Sequence, residues 1–135
     1  MKKVFTRGLL AANILAYSSV AFAGFGEKKW NFARDESVVI TPSYTFQQGV
    51  EYSCNIFKPK KVSFTLSYSA PSDLNKLRIF VDDEKKITHD KEKKIFTLKN
   101  IKSLHISFPW SGHYIFKNIT NKKVVGTDCD TGGYD

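Results

Sequence analysis

Val62-Ser63-Phe64-Thr65-Leu66-Ser67-Tyr68-Ser69 decides the fold. Four apolar side chains alternate strictly with four hydroxyl side chains. Side chains of a strand point to opposite faces in turn, so this is a β-strand with one buried face. The same period appears on either side of it. Val50, Tyr52, Cys54 and Ile56 alternate with Glu51, Ser53 and Asn55, which points Cys54 and Ile56 inward with the apolar set. Leu77, Ile79 and Val81 form a third set, and Leu104, Ile106 and Phe108 a fourth. Residues 36–41, 94–99, 113–119 and 123–129 are further strand candidates, rich in the β-branched and aromatic residues that suit a half-buried pleated surface.

Turn chemistry separates these runs. Lys58-Pro59-Lys60, Ala70-Pro71-Ser72-Asp73, Val81-Asp82-Asp83-Glu84, Pro109-Trp110-Ser111-Gly112 and Thr120-Asn121-Lys122 each carry residues that favour chain reversal. Six to eight short antiparallel strands at this spacing predict an all-β domain, either a β-sandwich or a small β-barrel. No stretch after residue 23 holds a sustained 3.6-residue apolar repeat. Residues 24–35 are polar and aromatic, with Trp30 and Phe32, and read as an arm, an edge strand or a short helix.

The first 23 residues have another character. Lys2, Lys3 and Arg7 precede an apolar run through Leu9, Leu10, Ile14 and Leu15, and Ala21-Phe22-Ala23 is a small-x-small cleavage site. This is the layout of a secretory signal peptide, with a mature start at Gly24 and one domain over 24–135. The expected compartment is the periplasm or the exterior of a bacterium. Of the 135 residues, 21 are Lys or Arg and 13 are Asp or Glu. Removing the signal leaves 18 basic against 13 acidic residues, a net charge of +5. No second apolar stretch reaches the ~18–20 residues that span a bilayer.

Export changes the reading of Cys54 and Cys129. Two cysteines in an exported domain pair most often, so a Cys54–Cys129 disulfide is expected. Its 75-residue loop is worth at most ~4.5 kcal/mol by chain entropy. The rival reading, two ligands of a metal site, has no further cysteines or spaced His pair to complete it. Asp128-Cys129-Asp130 resembles the start of a calcium loop but lacks the distal glutamate. No metal and no cofactor are therefore expected.

Signatures of catalysis are missing. No G-x-S-x-G elbow, H-E-x-x-H motif or phosphate-cradling glycine loop occurs. His105 faces outward with Ser103 and Ser107, without the aligned base and orienting acid that a nucleophile needs. Asp82, Asp83 and Glu84 sit in a lysine-flanked turn that reads as a solvated hairpin. Asn118-Ile119-Thr120 fits the N-glycosylation pattern, which carries no meaning in a bacterial periplasm.

Binding surfaces are easier to place. Antiparallel order puts alternate connections at opposite ends of a sandwich. If residues 86–89 form a strand, the turns at 58–61, 83–86, 100–102 and 120–123 share one end. That end carries Lys58, Lys60, Lys61, Lys85, Lys86, Lys102, Lys122 and Lys123. A pole of this kind suits a polyanion or an acidic protein, although lysines also keep turns solvated. If 83–94 is instead one loop, the parity flips and the pole dissolves. Nucleic acid is the weaker option, because the chain has three arginines and no aromatic-basic pattern. The opposite end holds Trp110 and His113. Trp110 is either a cap on the core or an anchor for a partner.

Glu51-Tyr52-Ser53-Cys54 and the late Cys129 resemble the bacterial periplasmic inhibitors of c-type lysozyme, small exported β-barrels with a Tyr-x-Cys and a closing Cys. That family's Ser-Gly-x-x-Tyr loop has only Ser111-Gly112-His113-Tyr114 as a counterpart, one residue shorter. The resemblance implies an exported, disulfide-closed binding protein and carries no residue role. The expected function is accordingly non-catalytic binding of another protein through loops, as an inhibitor or immunity protein. The alternative is a secreted virulence or adhesion factor that grips a host glycan or membrane through the basic pole.

Overall fold

In the computed structural model, residues 24–42, 50–69, 74–109 and 112–133 are described. They form eleven strands, all paired antiparallel: β1 (Gly24–Phe25), β2 (Trp30–Phe32), β3 (Ser37–Ile40), β4 (Val50–Lys58), β5 (Val62–Ser69), β6 (Arg78–Val81), β7 (Ile87–Asp90), β8 (Ile95–Ile101), β9 (Leu104–Phe108), β10 (His113–Asn118) and β11 (Val124–Gly133). One sheet has the order β1-β2-β11-β4-β9-β6 and the other β3-β10-β5-β8-β7. The all-β expectation holds, and two facing sheets make it a sandwich. The strand count exceeds the expected six to eight. The signal peptide reading concerns residues 1–23, which lie outside the described residues. No helix among the described residues is long and apolar enough to cross a membrane.

The alternating runs bury the faces they advertise. Val62, Phe64 and Leu66 of β5 are fully buried, as are Ile106 of β9 and Tyr114 and Phe116 of β10. Aromatic rings knit the two sheets together: Phe32 and Phe57 from one meet Phe64 of the other, and Phe64 packs on Phe116 with centroids 4.5 Å apart. Residues 24–35, open at the sequence level, are two short strands. Trp30 and Phe32 are fully buried, and the Trp30 indole N–H donates to Thr131 Oγ1 at 2.7 Å.

One facing prediction fails. Ile56 is 54% exposed, whereas its neighbour Phe57 is buried. The cause lies across the ladder. Between the pairs Thr127↔Ile56 and Cys129↔Cys54, Asp128 takes a φ of 57° and its carboxylate accepts from the Asn55 amide at 3.2 Å. Both strands turn over together at this point, so register is kept while the buried face passes from Cys54 to Phe57 and from Cys129 to Gly126. The disulfide joins the directly opposed Cys54 and Cys129 on the core side. Gly126 is required beside it, because a Cβ there would stand 2.6 Å from Cys54 Sγ and 2.8 Å from Cys129 Sγ.

Apart from the β1–β2 and β7–β8 hairpins, successive strands alternate between the sheets. Connections therefore cross the core at the ends of the sandwich. Because Ile87–Asp90 is a strand, the links 33–36, 59–61, 82–86, 102–103 and 119–123 all gather at one end.

Candidate functional site

The middle of this end is held by hydrogen bonds, while ion pairs occur on its flanks, Lys86–Asp82 at 2.6 Å and Arg34–Asp35 at 3.8 Å. Asn118, at the end of β10, is the buried polar residue of the described structure. Its Nδ2 donates to Ala33 O at 3.0 Å and to Lys122 O at 3.1 Å, and its Oδ1 accepts from Thr120 N at 3.0 Å. Its backbone N–H donates to Glu36 O at 2.9 Å. One amide thus fastens the 33–36 link to the 119–123 turn. Thr120 does the same for the turn on the other side. Its Oγ1 accepts from Ser63 N at 2.8 Å and donates to Ser63 O at 3.1 Å, which anchors the turn to the start of β5. Ser63 Oγ in turn accepts from Asn100 N at 2.9 Å. A buried polar group is tolerated only when its bonding capacity is met, and here it is met by backbone from two connections, 33–36 and 119–123.

The same bonds agree with reading the glycosylation pattern as incidental. The Asn118 amide is fully buried with both N–H groups engaged, so the Asn118-Ile119-Thr120 motif offers no accessible acceptor for a glycan.

Lys58, at the end of β4, and Lys60, Lys61, Lys122 and Lys123, on the turns 59–61 and 119–123, are exposed; the bonds of Asn118 and Thr120 brace the second of these turns. Lys58 belongs to the last pair of the β4–β11 ladder, opposite Val125, which sets the two turns side by side. Among the described residues, none of these five lysines forms an ion pair. Ile119, 37% exposed, lies on the same turn as Lys122 and Lys123.

Lys85 and Lys86 sit at this end too, but in a different electrostatic setting. The Lys86 ammonium is 2.6 Å from Asp82 Oδ2, and Asp82 Oδ1 accepts from Lys102 N at 2.8 Å. Desolvation opposes ionisation of Asp82. The hydrogen bonds from Lys86, from Lys102 and from its own backbone, with the charge of Lys86, outweigh it and hold the carboxyl at about 2. Asp83 accepts from Lys85 N at 3.0 Å and opens a short 3-10 turn, Glu84–Lys86. The 82–86 link joins the two sheets, so it is a crossover and not the hairpin expected from sequence. Its three carboxylates balance Lys85, Lys86 and Lys102 in formal charge. On the other flank, Arg34, Asp35 and Glu36 sum to −1. The five lysines of the centre sum to +5.

His113 is exposed at the opposite end, paired with Ser69, and takes no part in this cluster. Trp110 lies outside the described residues. His105 faces out from β9 as expected. Its Nε2 is 3.0 Å from Glu51 Oε2, and Phe80 packs edge-on against its ring with centroids 5.8 Å apart. At the β7 edge, His89 stacks on Phe96 and its Nε2 is 2.8 Å from the Tyr68 hydroxyl. Burial pushes the Tyr52 hydroxyl up from the ordinary tyrosine value. No cluster of three or more His, Cys, Asp or Glu side chains suited to a metal occurs among the described residues. Asp128 and Asp130 are both exposed on β11, with Asp128 bonded to Asn55.

The bracing residues Asn118, Thr120 and Ser63 escape a sequence reading, because each looks like an ordinary polar residue at a strand end. The available signal was weak: an Asn-x-Thr placed between a buried strand and a lysine turn.

Compared with known protein families, with curated proteins and with solved structures, the chain matches none.

Proposed function

We propose that this chain is an exported, non-catalytic binding domain that grips an anionic macromolecular partner through its lysine-bearing end, with inhibition of or immunity to that partner as the outcome. The observation that carries the reading is the pairing of charge with rigidity. Five lysines without ion pairs stand at the end of β4 and on the adjoining turns 59–61 and 119–123, and Asn118 and Thr120 fix the second of these turns to the 33–36 link and to the start of β5. Backbone that is already ordered has no ordering entropy left to lose on binding, so more of the Coulombic attraction appears as affinity. Clustered cations also speed encounter with an acidic surface and make it salt-dependent.

The test is heparin chromatography, with heparin as a generic anionic probe. Wild type is compared with the variant carrying Lys58→Glu, Lys60→Glu, Lys61→Glu, Lys122→Glu and Lys123→Glu. An equal number of changes at Lys29, Lys76, Lys91, Lys93 and Lys94, at the other end of the sandwich, provides the control. The first variant is expected to elute at clearly lower salt than the control, with its thermal midpoint retained. Equal elution of the two variants refutes the lysine end as the site.

A further inference from the structure

We infer that the outer face of the six-stranded sheet is a second binding site, which takes an extended β-1,4-linked chain of uncharged pyranose sugars. The inference does not rest on the lysine end, which lies at the ends of these strands rather than on their face.

The strand register builds the site. Phe80, His105, Ser53 and Asp130 stand directly opposite one another across β6, β9, β4 and β11 and form one row. Arg78, Ser107, Glu51 and Gly132 form the next row on the same four strands. Between the rows lie Ile79, Ile106 and Tyr52, which pack into the core, so both rows face outward. At one margin the Phe80 ring is 56% exposed. A large apolar ring left in water on a strand is the informative exception on a protein surface. It rests edge-on against His105, which Glu51 orients in turn. An ionised carboxylate only accepts, so the His105 Nε2 beside it carries the proton, and the other ring nitrogen of the neutral imidazole is an acceptor. Toward the other margin Gly132 has no side chain, and a Cβ there would meet nothing within 4 Å. The small residues Ser107, Ser53 and Gly132 thus leave a furrow beside the Phe80 ring. Ser53 and Asp130 also border a cleft of about 520 Å³ shared with Lys28 and Lys29 of the β1–β2 turn, which extends the furrow.

The chemistry of the two rows selects the ligand. A pyranose chain offers apolar C–H faces and rims of neighbouring hydroxyls. Phe80 suits the first. The carboxylates of Glu51 and Asp130, the His105 imidazole and the Arg78 guanidinium suit the second, because each is a planar group with more than one polar atom. Phosphate polymers are a poor match. The rows set Arg78 against Glu51 and Asp130, a formal charge of 1 − 2 = −1 on a mature domain of +5. A protein hot spot has an apolar centre ringed by polar groups, whereas here the centre is polar and the apolar ring stands at the margin. Shape selects the linkage. An extended β-1,4 chain repeats at roughly the ~4.8 Å spacing of strands, so one sugar lies over each of the four, while an α-1,4 chain coils away from the face.

The test is calorimetric titration with cellotetraose, N-acetylchitotetraose and maltotetraose, the last being α-linked. At least one β-1,4 probe is expected to bind at millimolar concentration or below, at least tenfold tighter than maltotetraose. Phe80→Ala and Gly132→Leu should each weaken it at least tenfold, and Phe80→Tyr should keep the affinity. Both positions are exposed and Gly132 opens onto empty space, so the thermal midpoints should be retained. Lys60→Glu with Lys122→Glu should leave saccharide binding within twofold of wild type. Failure of both β-1,4 probes to bind overturns the inference, as does equal binding of maltotetraose or full affinity in Phe80→Ala or Gly132→Leu. Sedimentation that shows a wild-type dimer dissolved by Phe80→Ala assigns the face to a second copy of the chain and likewise overturns it. None of these results alters the outcome of the heparin comparison, so the two sites stand or fall separately.

Discussion

Replacing Asn118 with alanine should cost this domain more stability than its small size suggests. The side chain is fully buried and makes three hydrogen bonds to backbone. Ala33 O keeps a second partner in Glu36 N, at 3.1 Å, so its loss is the smallest. Lys122 O and Thr120 N lose the partners that Asn118 supplies. At a net ~0.5–1.5 kcal/mol per bond, with the higher figure for groups left unpaired, the total is about 2–3 kcal/mol. That is a large share of the ~5–15 kcal/mol that holds a domain together. For about 110 residues it corresponds to a fall in midpoint of roughly 10 °C. The assay is urea unfolding followed by tryptophan fluorescence, with the slope checked for constancy. Asn121→Ala, on an exposed residue of the same turn, is the control and should stay within about 0.5 kcal/mol of wild type. Asn118→Asp keeps the acceptor but aims a carboxylate at two carbonyl oxygens. Its folded-state pKa is then raised above the unfolded value, so its destabilisation should deepen as pH rises through the carboxylate range. An Asn118→Ala loss no larger than that of Asn121→Ala would refute the account of how this end is built.

Two other predictions concern stability alone. Gly126→Ala should cost about 1–3 kcal/mol, because the added methyl meets both disulfide sulfurs; a thermal melt within 1 °C of wild type would show that the close approach is wrong. Asp82, held at about 2 against an ordinary 3.8, contributes stability that is full above pH 4 and is lost as pH falls from about 4 towards 2. Asp82→Asn should therefore flatten the pH dependence of the melting temperature in that window, and an unchanged acid limb would contradict the Lys86 and Lys102 bonds as its cause.

The parts of the fold legible in the sequence are those where one strand alone carries enough period to be read. Val62–Ser69 and Leu104–Phe108 are such cases, and their buried faces match. Short strands carry too little. Gly24–Phe25 and Trp30–Phe32 have two and three residues, which no period-2 argument can distinguish from an arm. What fixes them is tertiary: Trp30 pairs with Gly126 and donates to Thr131, about a hundred residues along the chain. Ile56 shows a different limit. Its alternation is intact in its own strand, and the event that turns it outward sits on β11 at Asp128. The lysine end was legible as composition and conditional as geometry. Its assembly depended on the four residues Ile87–Asp90 being a strand, since that sets which end each later connection occupies. The carboxylates beside the lysine end were visible as residues, but the ion pair of Asp82 with Lys86 and its bond from the Lys102 backbone N–H depend on how the fold brings the 82–86 link to residue 102.

The lysine end also explains why a buried asparagine belongs in an otherwise apolar core. Five ammonium groups at a mean separation of ~10 Å repel one another by roughly 0.1 kcal/mol per pair after screening, or about 1 kcal/mol in all. Salt bridges within the end would remove that repulsion, and at Asp82–Lys86 one does. The central turns have none among the described residues. The 119–123 turn is held instead by neutral hydrogen bonds from Asn118 and Thr120, whose contribution exceeds the repulsion without cancelling the charge. An end fixed in this way keeps its field available to solution. Under the proposed function, a partner with an acidic patch would relieve the repulsion on docking there, so that the same five charges that weaken the free domain would strengthen the complex. An end built from ion pairs would be equally rigid, but its field would already be spent.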